Sequence, residues 1–156
     1  MPAAHSWPEL YAYLAKISNS KTVLARKQNP IRTCLLIDDD EDDREIFCLA
    51  LNQVDPSVDC LTASDGLEAL SLLKERSLVP DYIFLDLNMP RMDGKECLRE
   101  IRKQKHLEDT PVIIFSTSSV DKEKEETKRL GANSFIVKPP LVSVLAESLH
   151  QIFKHG

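Results

Sequence analysis

Five short, near-continuous apolar runs, each followed by a stretch with helical spacing, constrain this chain more than any other feature. The runs are Cys34–Ile37, Val58–Ala63, Tyr82–Leu85, Val112–Phe115 and Ser134–Val137. Four of the five are apolar almost throughout, as strands are when helices cover both faces of a parallel sheet. Helices are predicted over Asp42–Val54, Leu67–Arg76, Gly94–Lys103, Asp121–Leu130 and Leu141–Phe153. The last carries one apolar stripe of Leu141, Val144, Leu145, Leu149, Ile152 and Phe153. The fourth is polar nearly all round, the pattern of a solvated helix supported by i,i+4 pairs such as Lys122–Glu126. Strands alternating with helices predict an open α/β sandwich around a parallel sheet. A chain of 156 residues is long enough for one domain with a real core. None of its apolar runs approaches the roughly 18 residues of a membrane span.

Charge divides the chain. Residues 1–30 hold one acid (Glu9) against four bases (Lys16, Lys21, Arg26, Lys27), a net of +3 within a chain whose total is −5. The remainder is therefore strongly acidic, which argues against general affinity for nucleic acid phosphates. We read 1–30 as an N-terminal extension and 31–156 as the folded domain. Ser6 and Glu9 have capping-box spacing ahead of Leu10, Leu14 and Ile17, so the extension is expected to carry one helix. It is either a partly ordered tail or a docking or dimerisation helix. Cys34, Cys48, Cys60 and Cys97 contain no CxxC pair, so neither a zinc knuckle nor a thioredoxin-type site is expected. Four free cysteines in a reducing cytoplasm are the expectation, and no secretory signal segment precedes the domain.

Ligands of such a sheet bind beyond the carboxyl ends of its strands. The first run is followed by Asp38-Asp39-Asp40-Glu41-Asp42-Asp43, the third by Asp86, the fourth by Ser116-Thr117, and the fifth by Lys138. Clustered carboxylates repel one another unless a cation intervenes. A hard divalent cation such as Mg²⁺, held by one or two carboxylates, waters and a phosphate oxygen, suits them. A lysine and a hydroxyl on the opposite side could neutralise the remaining phosphoryl oxygens. Phosphoryl transfer asks a protein mainly for positioning and charge neutralisation, and Asp86 could carry the group covalently. Taken singly, each feature has an ordinary explanation: helix N-terminal charge bias, a surface lysine, a helix cap. In chain order, all at strand ends, they point to one site.

These residues carry a resemblance. Cys-Leu-Leu-Ile-Asp38-Asp39, Asp86-Leu-Asn-Met-Pro90-Arg-Met-Asp-Gly94, Ile114-Phe-Ser116 and Gly131-Ala-Asn-Ser-Phe135-Ile-Val-Lys138-Pro139 resemble the receiver domain of two-component response regulators. The likeness runs from Ile31 to about Phe153, and its look is nearest to the stand-alone receivers associated with phytochromes. It implies a flavodoxin-like (βα)5 fold with strand order 2-1-3-4-5. Asp86 then resembles the phospho-acceptor, served by a sensor histidine kinase or a phosphotransfer histidine. By the same resemblance Asp39 is a direct Mg²⁺ ligand, Asp38 holds a metal-bound water, and Asp86 and the Asn88 backbone carbonyl complete the set. Lys138 pairs with the phosphoryl group and, before modification, with Asp86. Ser116 moves toward it, Phe135 turns into the vacated space, and Asn88, Thr117 and Ser118 modulate the chemistry. The protein would be no enzyme beyond its own phosphorylation and dephosphorylation.

The sequence departs from the family pattern at several positions. Thr117 stands where alanine or glycine is usual, Phe135 replaces the commoner tyrosine, and Pro140 follows Lys138-Pro139, a bond that is cis in the family. Asp40 and Glu41 have no evident role. Only Lys154-His155-Gly156 follow the last helix, so output is expected through protein contacts. The family's face is Asp121–Leu130, Ser134–Val137 and Leu141–Phe153, where a homodimer sensitive to salt could also form. Two other functions share parts of this pattern. A haloacid-dehalogenase-type hydrolase needs a second aspartate at the position of Asn88. A pseudo-receiver usually loses one of the acids or the lysine retained here.

Overall fold

In the computed structural model, which describes residues 31–75 and 78–155, the apolar runs become five parallel strands. They are β1 (Thr33–Ile37), β2 (Asp59–Ala63), β3 (Tyr82–Leu85), β4 (Val112–Ser116) and β5 (Ser134–Val137). The helices are α1 (Glu41–Val54), α2 (Gly66–Lys74), α3 (Gly94–Arg102), α4 (Asp121–Arg129) and α5 (Val142–His155). The sheet order is β2-β1-β3-β4-β5 and every pairing is parallel, the flavodoxin-like arrangement predicted above. Winding reverses between β1 and β3, which opens a crevice at the carboxyl ends of those strands.

Period-two alternation divides each continuous run between two core layers. Cys34 and Leu36 of β1 pack with Phe47, Leu51, Leu145 and Leu149 of α1 and α5. Their neighbours Leu35 and Ile37 pack with Leu73, Leu98 and Ile101 of α2 and α3. In the first layer Phe47 lies 4.8 Å from Phe84 and 5.6 Å from Phe115, ring centre to ring centre. Such aromatic pairs add about 0.5–1.5 kcal/mol each beyond their burial. β1, β3 and β4 are interior strands, whereas β2 and β5 form the sheet edges and keep exposed residues.

Three helices open on an aspartate immediately before their first turn. Asp40 accepts from the Asp43 N–H, Asp65 from Glu68 and Asp93 from Glu96, so each satisfies a donor that the helix leaves unpaired. Glu68 completes a reciprocal cap by accepting from the Ser64 N–H at 2.8 Å. Predicted and observed boundaries differ by one or two residues, the usual fraying. Arg76, the predicted end of the second helix, and the predicted N-terminal helix lie outside the described residues. α4 has the expected Lys122–Glu126 pair at 3.8 Å, but Glu126 sits closer to Lys95 of α3, at 2.5 Å.

One expectation changes, and one question the sequence left open is answered. Cys48 of α1 and Cys60 of β2 form a disulfide with their Cα atoms 5.5 Å apart, so the reading of four free cysteines is corrected. α1 turns back into edge strand β2, and that reversal brings together residues twelve apart, within the span a disulfide needs. The bonded pair removes the cysteine-based argument for a reducing compartment. Cys34 and Cys97 are free and buried, and burial pushes the Cys97 thiol up to about 12. The Lys138–Pro139 bond is trans, as is every peptide bond among the described residues, unlike the family's cis bond. No described helix is long and apolar enough to cross a membrane.

Candidate functional site

Among the described residues, the buried polar or charged side chains are Asp38, Asp86, Thr110, Ser116, Thr127 and His150. Three of these stand at the carboxyl ends of β1, β3 and β4. Burying a carboxylate is costly unless a charge or a ligand compensates, so the placement of Asp38 (fully buried) and Asp86 (5% exposed) marks a site.

Backbone contacts fix each group. The Asp86 N–H donates to the Ile37 carbonyl at 2.9 Å, which keeps the ends of β1 and β3 level. Asp38 Oδ1 accepts from the Asp40 N–H at 3.0 Å, while Arg44 Nη1 donates to the Asp38 carbonyl at 2.7 Å. After Asp86 the chain turns sharply into α3, and the Gly94 N–H donates to the Leu87 carbonyl at 2.9 Å. A Cβ at position 94 would stand 2.7 Å from Leu87 Cα, so this turn accepts only glycine. Across the crevice, the Lys138 N–H donates to the Ser116 carbonyl at 2.7 Å and ties the ends of β4 and β5 together.

The Lys138 ammonium faces three carboxylates. Its Nζ lies 2.7 Å from Asp38 Oδ2, 2.8 Å from Asp43 Oδ2 and 3.8 Å from Asp86 Oδ1. Only the Asp43 contact is aligned as a hydrogen bond; Asp38 Oδ2 is buried, ion-paired and otherwise without a partner. Burial raises the Asp86 carboxyl to about 7; Lys138 opposes that rise, Asp38 adds to it, and an Asn88 backbone N–H also opposes it. Burial likewise raises Asp38, against the pull of Lys138. Burial draws the lysine down, but its short contacts to Asp38 and Asp43 and the charge of Asp86 more than reverse that, so it stays firmly protonated. One ammonium thus faces more negative charge than it can neutralise.

A cation fits that imbalance. Carboxylate oxygens of Asp38, Asp39 and Asp86 lie within 4.8 Å of one another. Asp38 Oδ2, ion-paired to Lys138 but with no hydrogen-bond donor aligned on it, is a hard oxygen donor of the kind Mg²⁺ takes. Asp39 is exposed at the mouth and Asp86 buried at the floor, so the cluster is open on one side.

The remaining predicted residues line the loop side. Ser116 is buried, and its Oγ accepts from the Ser118 N–H at 3.2 Å; Ser118 Oγ accepts in turn from Val120 at 3.3 Å. Thr117 and Asn88 are exposed. Phe135 is half-buried on edge strand β5, with Lys124 Nζ 5.9 Å from its ring centre. Three residues of the acidic run and its sequel have roles that the sequence left unassigned. Asp40 caps α1, Asp43 holds Lys138, and Arg44 grips the Asp38 backbone. The cap was legible as an aspartate three residues before a helical acid. The other two depend on partners that the fold brings near.

Residues 34–150 match the family described as the response regulator receiver domain. The chain belongs to that family. The receiver is 34% identical over 122 residues to the chemotaxis protein CheY homolog of Campylobacter jejuni, an alignment covering 78% of this chain and 92% of that one. Its fold is similar to the phosphorylated cyanobacterial phytochrome response regulator RcpA, with a TM-score of 0.71, 30% identity, and coverage of 78% and 91%. It is also similar to the Mn²⁺-bound form of response regulator Rcp1, with a TM-score of 0.65, 27% identity, and coverage of 78% and 91%. Receivers of this family act in two-component signalling, where they meet histidine kinases or phosphotransfer proteins.

Proposed function

We propose that this receiver is a phosphorylation-driven switch whose acceptor is Asp86. The observation that carries the reading is the buried Asp86 grouped with the carboxylates of Asp38 and Asp39 and facing the Lys138 ammonium. One Asp86 oxygen would attack the phosphorus of a phosphohistidine on a sensor kinase or phosphotransfer protein. The P–O bond forms as the P–N bond breaks, and the departing imidazole keeps the electron pair and takes up a proton. Asp38, Asp39, Asp86 and the Asn88 carbonyl would hold Mg²⁺, which when bound supplies positive charge to the transferring phosphoryl oxygens. Lys138 supplies the second positive charge from the opposite side. The Mn²⁺-bound Rcp1 and the phosphorylated RcpA support both halves of this reading.

Ser116 and Phe135 form the two-state element in this proposal. A hydroxyl drawn to the phosphoryl group leaves room beside β5, and the ring's position shifts the population of the α4-β5-α5 face. Val120, Val137 and Val144 expose apolar surface on that face beside the charges of α4. Output would pass there to a protein partner or to a second copy, in the cytoplasm where kinase modules work. Asn88, Thr117 and Ser118 would set how fast the group is lost. The protein would act on no substrate but its own aspartyl phosphate.

The direct test is intact mass after incubation with acetyl phosphate and Mg²⁺, wild type beside Asp86→Asn. One base-labile phosphoryl adduct on wild type alone is expected. Labelling that persists on Asp86→Asn would refute the acceptor assignment, and no adduct on either from donor or kinase would refute the switch.

A further inference from the structure

Lys138 is not poised on the acceptor. An ammonium offers three donors, and the only aligned hydrogen bond that Nζ makes to a carboxylate goes to Asp43, at 2.8 Å. Asp86 Oδ1 lies 3.8 Å away, beyond hydrogen-bond reach. In the resting protein the ammonium thus lies nearer Asp38 and Asp43 than Asp86. The two short contacts differ in how readily they release. Asp38 is fully buried and its other oxygen is engaged by the Asp40 N–H, so it cannot follow or re-solvate. The Asp43 side chain is 36% exposed on the first turn of α1, where water and the positive helix end can take over its charge.

We propose that Asp43 is a positioning residue: a latch that holds the Lys138 ammonium on α1, away from Asp86, and lets go as charge builds on the acceptor. The latch joins residues 95 apart in the chain and spans the crevice from the α1 end to the β5 end. Its backbone is pinned by the Asp40 cap, so its carboxylate is held toward the lysine. The charge-assisted bond competes with a phosphoryl oxygen for the position of the same ammonium, so it favours the unmodified state. This inference rests on Asp86 being the acceptor for its kinetic consequence, but the latch itself is a property of the resting protein.

Two measurements on the full chain test it, with Asp43→Asn and Asp43→Ser as variants and Asp42→Asn as control. Asp42 is exposed and lies on the same turn, while the ion pairs of Lys138 are with Asp38, Asp43 and Asp86, so it corrects for general charge removal near an anionic donor. The first measurement, in EDTA, is the acylation rate of Lys138 by acetic anhydride, read by peptide mass. The second is the phosphorylation rate with acetyl phosphate and Mg²⁺ at limiting donor. Both rates are expected to rise about three- to tenfold in the Asp43 variants and to stay near wild type in Asp42→Asn. Unchanged Lys138 acylation, or an equal rise in Asp42→Asn, would overturn the latch. If phosphorylation is absent from wild type as well, the acceptor reading fails while acylation still decides the latch. Slower phosphorylation of the Asp43 variants with faster acylation would also overturn it, since Asp43 would then be aiming the lysine rather than withholding it.

Discussion

A carboxylate at position 86 has to sit where water is scarce, and that placement sets its proton affinity. Burial raises the Asp86 carboxyl from 3.8 to about 7. The folded chain therefore keeps a proton that the unfolded chain releases between about pH 4 and pH 7. Over that window this residue's contribution to stability falls as pH rises, and above it the loss is constant. Without metal, Asp86→Asn is expected to be more stable than wild type at pH 8 by about 1–3 kcal/mol. The gap should close toward pH 4. Urea midpoints of both proteins in EDTA at pH 4.5 and pH 8 check this, and a gap that does not shrink on acidification contradicts it. The acidic run shows how far residue-level reading reaches. Asp38 and Asp39 were legible because they directly follow an apolar strand. Asp43 was not, because its partner is 95 positions away.

Elements are set by local rules, and their junctions carry the risk. The turn from β3 to α3 works only without a side chain at position 94, where a Cβ would crowd Leu87 Cα at 2.7 Å. Gly94→Ala is expected to cost about 1–3 kcal/mol in folding stability, read from urea unfolding. Because the crowded atoms include the Asp86 backbone, it should also slow phosphorylation of Asp86. Retention of both wild-type values would show that the turn opens freely. At the other edge, the Cys48–Cys60 bond ties α1 to β2 and closes a short loop in the unfolded chain. Cys60→Ser, or wild type under dithiothreitol, is expected to lose about 2–3 kcal/mol. Urea midpoints with and without reductant measure it, and the Cys60→Ser midpoint should not respond to reductant.

At the scale of the whole molecule, the two core layers among the described residues are built from a stretch that begins at Ile31 and ends at Phe153. The basic extension before it is therefore expected to be dispensable for the chemistry. A chain lacking residues 1–28 should keep its thermal midpoint within a few degrees and take up phosphate at the same rate. Failure of that chain to fold, seen by circular dichroism, would put the predicted first helix inside the core. The acidic balance of the remaining domain suits a surface that meets proteins rather than nucleic acid.

The order of apolar runs and helical stripes determined five strands and five helices, and chain topology rules left one economical way to wind them. Strand ends determined where Asp38, Asp86, Ser116 and Lys138 would converge, because a parallel sheet sends every carboxyl end to the same side. Tertiary structure alone decided the pairings across the chain. Lys138 rests on Asp43 and Asp38 rather than on Asp86, and Cys48 bonds Cys60 across the α1–β2 reversal. Strand and helix periodicity are local, repeated signals that a sequence displays residue by residue. A side-chain contact depends on the position of two backbones at once, and that position exists only after the sheet has closed its core.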